Sequence, residues 1–277
     1  MSGTLDTSVR VDRHLVKTEA GYVHVRTTGE FADGRPELLL LHQIPASSRM
    51  WLPCMRELAP LPCIAPDSLN LGESDSTDRP LTLVEQADLL WEAVQQLRPG
   101  PKIVVGHHTG ATLGALMAAR HKADVLGLGL IGLPHYNHWK EKFAKFERLN
   151  PTGADPQGEG VAAAWRFIQR AFAPDADPDL VFDAFADRIR AGRVWYEGYV
   201  ALWSADLDQI TRDARDDSRP TVLVAPERDI LSRTADEAAA MLGITPVRTP
   251  GGAFVMTEEP PVVTKVVREL YETVVGR

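Results

Sequence analysis

The chain reads as an α/β protein: a mostly parallel sheet flanked by helices and interrupted by an all-helical insertion. Three observations predict this. Short apolar runs such as ELLLLH (37–42) and KIVVG (102–106) alternate with segments of helical periodicity, the rhythm of strand–helix–strand units. Those runs are apolar at nearly every position, as strands covered on both faces must be. From about 135 to 214 the rhythm stops, and only helical patterns separated by Pro/Gly/Asp stretches remain.

Each element follows in order. HLVKTEAGYVHVRTTG, from His14 to Gly29, alternates β-branched and aromatic residues with polar ones around the Ala20-Gly21 turn, which predicts two strands. The strand at 37–42 comes next, then a helix from about Ser48 to Leu58, the strand PCIAP and a loop of turn formers, DSLNLGESDSTD. Leu89, Leu90, Ala93, Val94 and Leu97 share one side of a helix over 84–97. Strand KIVVG, a helix at 110–121 and strand VLGLGLIG follow. The helical block carries patterns at 139–148, 158–172, 178–191 and 193–204. The sheet resumes with TVLVAPERD, a helix at 232–242, a short strand near 246–249 and a last helix from Pro260 to Val275. The expected division is a core of 1–133 and 215–277 and a helical cap, or lid, of 134–214, over the C-terminal ends of the strands.

Composition narrows the partners. The 277 residues are 44% hydrophobic and 25% charged, with a net charge of −8. That surface repels phosphate backbones and anionic lipid, so neither nucleic acid nor membrane is expected as a partner. No apolar run approaches a membrane span, and the polar start MSGTLDTSVRVDRH lacks the apolar stretch of a signal peptide. Two cysteines, Cys54 and Cys63, are too few for a cysteine metal site and read as buried free thiols of a cytoplasmic protein, a disulfide being the lesser alternative.

Four stretches carry a resemblance: LLLLHQIPASSRMW, CIAPDSLNLGESD, GHHTGA, and VLVAPERDIL followed by TPGGAFVMTEEPP. Together, from about residue 13 to 275, they resemble the α/β-hydrolase fold with a helical cap. The resemblance implies an oxyanion loop after the 37–42 strand, with Gln43 standing where that family has a glycine after His42. It also implies a nucleophile elbow at GHHTG, an acid at Asp229 and a histidine loop near the C-terminus, in that chain order. Two family residues are replaced: His108 stands in place of the elbow serine, and Ala253 in place of the late histidine. No histidine follows His138, so the usual Ser-His-Asp relay cannot run.

His108 therefore becomes the candidate catalyst. The N-terminus of the helix behind it disfavours a second positive charge, which points to a neutral imidazole acting as base, nucleophile or ligand. Backbone N–H groups at Thr109 and Gly110 remain for an oxyanion. The ring is long enough to approach Asp229 directly or through one water, which would orient it as a base. Thr109 is the other hydroxyl of the corner. Gln43, Ile44, His42, Thr109, His135, His138, Trp139 and Ala253 are the expected lining of the oxyanion and substrate site. Asp67 reads as a loop anchor and His107 as packing beside the sheet. The aromatics Trp139, Trp165, Phe167, Trp195, Tyr196, Tyr199 and Trp203 imply an apolar lid and a small hydrophobic substrate.

The expectation is an enzyme acting on a small hydrophobic ester, lactone or carbonyl compound, with His108 as general base or nucleophile. Two alternatives stand beside it: a non-catalytic binding protein on this scaffold, and a lyase, isomerase or cyclase working by proton transfer. A metal-dependent variant using His42, His108, His135 and His138 is the weakest candidate, and no cofactor is implied. A second copy of the chain is the other candidate partner.

Overall fold

The computed structural model describes residues 9–135, 157–192 and 194–277, the side chains of Val194 and Trp195 excepted. Eight strands form one sheet in the order β1-β2-β4-β3-β5-β6-β7-β8. They are β1 Asp12–Thr18, β2 Gly21–Thr28, β3 Glu37–Leu41, β4 Cys63–Pro66, β5 Lys102–His107, β6 Val125–Ile131, β7 Thr221–Pro226 and β8 Val247–Thr249. Strand β2 runs antiparallel to β1 and β4, and every other pair is parallel. Edge strand β1 alternates exposed and covered residues, whereas central β3 and β5 are buried throughout, as their sequences require.

The helices before the insertion are α1 Leu52–Leu58, α2 Leu83–Leu97 and α3 Thr109–Arg120. Two apolar cores result. One joins Leu39, Leu41, Val104, Leu128 and Leu130 to α2 and α3. The other joins Leu38, Leu40, Ile103 and Val105 to the α1 side. The sequence sets the helix starts. Thr82 and Glu85 form a reciprocal capping box on α2. The helix expected from Ser48 instead opens with a 3-10 turn, Ser48–Trp51, before α1. Pro53 stands in the first turn of α1, where its missing N–H has no intrahelical partner to lose, so it suits the start of a new α-helix.

Between β6 and β7 the described chain is helical: α4 Glu159–Ala171, α5 Pro178–Ala191, α6 Val194–Ser204 and α7 Leu207–Asp213. The sequence reading had not separated α7, which Asp206 caps through Gln209 N–H at 3.0 Å. The helix expected at 139–148 lies outside the described residues. The insertion packs on loops at the C-terminal ends of the strands. Phe172 stacks on Phe254 at 4.2 Å, and Tyr199 reaches the loop after β3. The chain closes with a 3-10 turn Ile230–Thr234, then α8 Ala235–Leu242, α9 Val255–Glu258 and α10 Pro260–Val275. No described helix is long and apolar enough to cross a membrane. Cys54 and Cys63 are free and buried.

Candidate active site

The site is built on the corner between β5 and α3. His108 occupies it with φ 49° and ψ −116°, a conformation that a residue bearing a Cβ rarely adopts. The flanking glycines allow the corner to close. A Cβ on Gly106 would lie 2.1 Å from Gly110 O, and one on Gly110 would lie 2.2 Å from Leu41 O. The G-x-H-x-G spacing is thus a consequence of backbone crossing backbone. His108 N–H donates to Ile131 O at 2.9 Å, and its carbonyl accepts from Ala111 and Thr112. The bonds of α3 begin there, so among the described residues the N–H groups of Thr109 and Gly110 carry no backbone bond. They sit at the positive end of the helix.

The imidazole of His108 reaches Asp229 directly: Nε2 lies 2.6 Å from Oδ2. Asp229 follows β7, is 3% exposed, and also accepts Leu231 N–H through Oδ1 at 3.0 Å. Burial pushes its carboxyl up. The charge and hydrogen bond of His108, together with the Leu231 N–H, outweigh this and hold it below its ordinary value. An ionised Asp229 can only accept, so Nε2 carries the proton of that bond, and Nδ1 is the nitrogen left to act as base.

Three contacts fix the ring. The Cδ2–Nε2 edge faces Gly132, where an added Cβ would lie 2.7 Å from Cδ2 and 2.9 Å from Nε2. One face stacks on His107, with centroids 3.9 Å apart and planes 27° apart. The far end meets Asp229. The Nδ1 edge therefore points away from β6, and the side chain keeps 16% exposure. Among the described residues Nδ1 has no hydrogen-bond partner. The sequence reading missed Gly132; its signal was a glycine directly after an apolar strand, in LIGLP.

His107 is completely buried, and neither of its ring nitrogens has a partner among the described residues. Burial first, and then the neighbouring His108, push its pKa far below the ordinary value, so it is neutral. Ligand atoms of His107, His108 and Asp229 lie within 4.8 Å of one another.

The other sequence candidates fall into three groups. Ile44 and Gln43 are buried in the loop after β3, and the N–H of Ile44 carries no backbone bond among the described residues. Ala253 packs with Phe254, Phe172 and Ile168, so apolar carbon occupies the expected histidine position. Thr109 is buried at the first position of α3. Two histidines are corrected. His42, expected to line the site, uses both ring nitrogens in the loop. Nδ1–H donates to Gln43 O at 2.8 Å, and Nε2 accepts from Ser68 N–H at 2.9 Å. His135, also expected there, sits between carboxylates of the insertion and α8, 3.1 Å from Asp208 and 3.2 Å from Glu237. It leaves β6 where α7 and α8 converge, and that packing claims it. Among the described residues, His42, His108 and His135 are thus not brought together as one set of ligands. His138 and Trp139 lie outside the described residues. Asp67 anchors its loop, accepting Ser48 N–H at 2.6 Å and Glu73 N–H at 2.9 Å and meeting His24 Nδ1 at 2.8 Å.

Residues 36–154 match the family described as alpha/beta hydrolase fold. The structure superposes on an enol-lactonase from Burkholderia xenovorans with a TM-score of 0.77 and 18% identity, covering 93% of this chain and 99% of that one. An esterase from Thermogutta terrifontis gives 0.75 and 21%, covering 95% and 99%. The chain is an α/β-hydrolase-fold protein. Among curated sequences, this hydrolase-fold chain is 26% identical to a haloalkane dehalogenase of Bradyrhizobium diazoefficiens over 61% of its length. It is 29% identical to one of Mesorhizobium japonicum over 55%. The matched stretches span 53% and 45% of those relatives, about half their length.

Proposed function

We propose that the protein is a hydrolase acting on a small hydrophobic ester or lactone, with His108 as general base. The carrying observation is the 2.6 Å contact between His108 Nε2 and Asp229, which commits Nδ1 to the open side of the ring. In this reading Nδ1 takes a proton from water as its oxygen attacks the carbonyl carbon. The N–H groups of Thr109 and Ile44 receive the developing oxyanion. Asp229 stabilises the imidazolium, and the proton then passes to the leaving oxygen as the carbon–oxygen bond breaks. No covalent intermediate forms. Thr109, buried at the head of α3, serves by its N–H instead of its hydroxyl. Helices α4–α7 act as the cap that covers this face, within a core of 1–133 and 215–277 and a cap of 134–214.

The activities named for similar proteins bear on this reading. Lactone or ester cleavage uses both the base and the N–H groups. Direct displacement of a halide by base-activated water at a saturated carbon, in contrast, develops no oxyanion for those N–H groups to stabilise. The same base and oxyanion site would also serve a lyase or isomerase step, so assays must resolve products.

A panel of small aryl esters and lactones tests the proposal. Turnover is expected to survive a chelator and to fall about 100-fold or more in His108→Ala. A serine-directed fluorophosphonate is expected to leave the protein unlabelled. Turnover untouched by His108→Ala, or tight ligand binding with no product, overturns it.

A further inference from the structure

The loop 42–48 after β3 is gripped from two sides. From the core, His42 braces Gln43 O and Ser68 N–H, and Asp67 takes Ser48 N–H. From the insertion, the Tyr199 hydroxyl donates to Ile44 O at 2.9 Å, and Ser47 donates to Asp187 of α5 at 2.7 Å. The approach is close by design of the sequence: a Cβ on Gly198 would lie 2.4 Å from Ile44 Cδ1. Ile44 packs with Leu71, Ala191, Tyr196 and Tyr199.

Tyr199 therefore holds the carbonyl of the residue whose N–H is, on the proposed reading, the second oxyanion donor. We infer that Tyr199 is a positioning residue, which orients the Ile44 N–H through its carbonyl and so makes the docked insertion part of the catalytic geometry. This rests on the proposed hydrolase reading. A phenol suits the task. Burial raises its pKa, so it remains a donor across the working range. Its ring is carried by α6, which Gly198 lets lie directly on the loop.

The test is Tyr199→Phe in the full chain. With the best aryl ester of the panel, kcat is expected to fall about 10-fold, less than the loss of a whole oxyanion donor, while KM stays within about twofold. Affinity for phenylphosphonate, a tetrahedral anion, should fall in parallel with kcat/KM, and affinity for planar benzoate should not. Amide hydrogen exchange over 43–50 should accelerate, with β5 and α3 unchanged. Gly198→Ala keeps the hydroxyl but pushes α6 off Ile44, so it should give the same signature should Tyr199→Phe fold poorly. Unchanged exchange over 43–50, or equal loss of phenylphosphonate and benzoate, overturns the inference. The exchange readout needs no turnover, so it decides this point even where His108→Ala remains active and the hydrolase reading itself falls.

Discussion

Gly132→Ala is the sharpest probe of the site, because it adds one methyl where the His108–Asp229 pair has no room. Its Cβ would stand 2.6 Å from Asp229 Oδ2, against the 3.4 Å at which ordinary contact begins. Something must therefore yield by about 0.8 Å. Moving either partner that far stretches a 2.6 Å bond to roughly 3.4 Å, outside the range of an N–H···O bond. The loss of a charge-assisted bond amounts to about 1.5–3 kcal/mol. Gly132 also has φ +55°, where an L-residue adds about 1–2 kcal/mol. The expected destabilisation is about 3–5 kcal/mol by urea unfolding. Turnover is expected to fall about 100-fold, since a misplaced base loses its geometry. Gly34→Ala separates the two terms: its φ is +76° and nothing lies within 4 Å, so it should show the backbone term alone and no rate effect. Wild-type stability and turnover in Gly132→Ala would refute the assigned ring orientation.

Asp229→Asn should lower kcat by about 100-fold. Because the folded carboxyl titrates below its ordinary value, its stabilisation is present above about pH 3.9 and is lost as pH falls through the lower folded value; acid unfolding of wild type, but not of the variant, should show that step. Asp187 has the opposite sign, its carboxyl raised chiefly by burial despite the Ser47 bond, so its ionisation opposes folding at neutral pH. Asp187→Asn should raise Tm at pH 7, and the gain should close as pH falls through the raised folded value. His107→Phe keeps the ring stack and removes two unpartnered buried nitrogens, so urea unfolding should show a gain of about 1–3 kcal/mol. Burial raises both thiols, Cys63 to about 12, so iodoacetamide at pH 8 should label neither until the protein unfolds.

The parts legible in the sequence are those set by neighbours along the chain. Apolar runs marked β3, β5 and β6 within a residue or two of the expected bounds, because burial on both faces leaves a local signature. GHHTG marked the corner because its two glycines are demanded by backbone approach. The histidines were less legible. His42 and His135 looked alike as imidazoles beside strand ends, yet their partners, Ser68 and Asp208 with Glu237, lie far along the chain. Nothing local announces which carboxylate will claim a ring. The same holds for Tyr199, whose bond to Ile44 spans 155 residues.

The arrangement has a chemical consequence of its own. In the usual relay the base reaches the corner from a late loop, and the corner supplies the nucleophile. Here the ring stands on the corner itself and spans to Asp229 with Nε2. Gly132 excludes one edge and His107 covers one face, which leaves the Nδ1 edge to meet substrate. The N–H groups that open α3 belong to the next residues of the chain, Thr109 and Gly110. On the proposed reading, the base and one of its two oxyanion donors, Thr109, therefore belong to consecutive residues and cannot be displaced independently. The reaction should proceed by direct attack of water, without a burst of released alcohol ahead of steady turnover. A burst matching the enzyme concentration would instead make Nδ1 a nucleophile, with an acyl-imidazole formed and then hydrolysed.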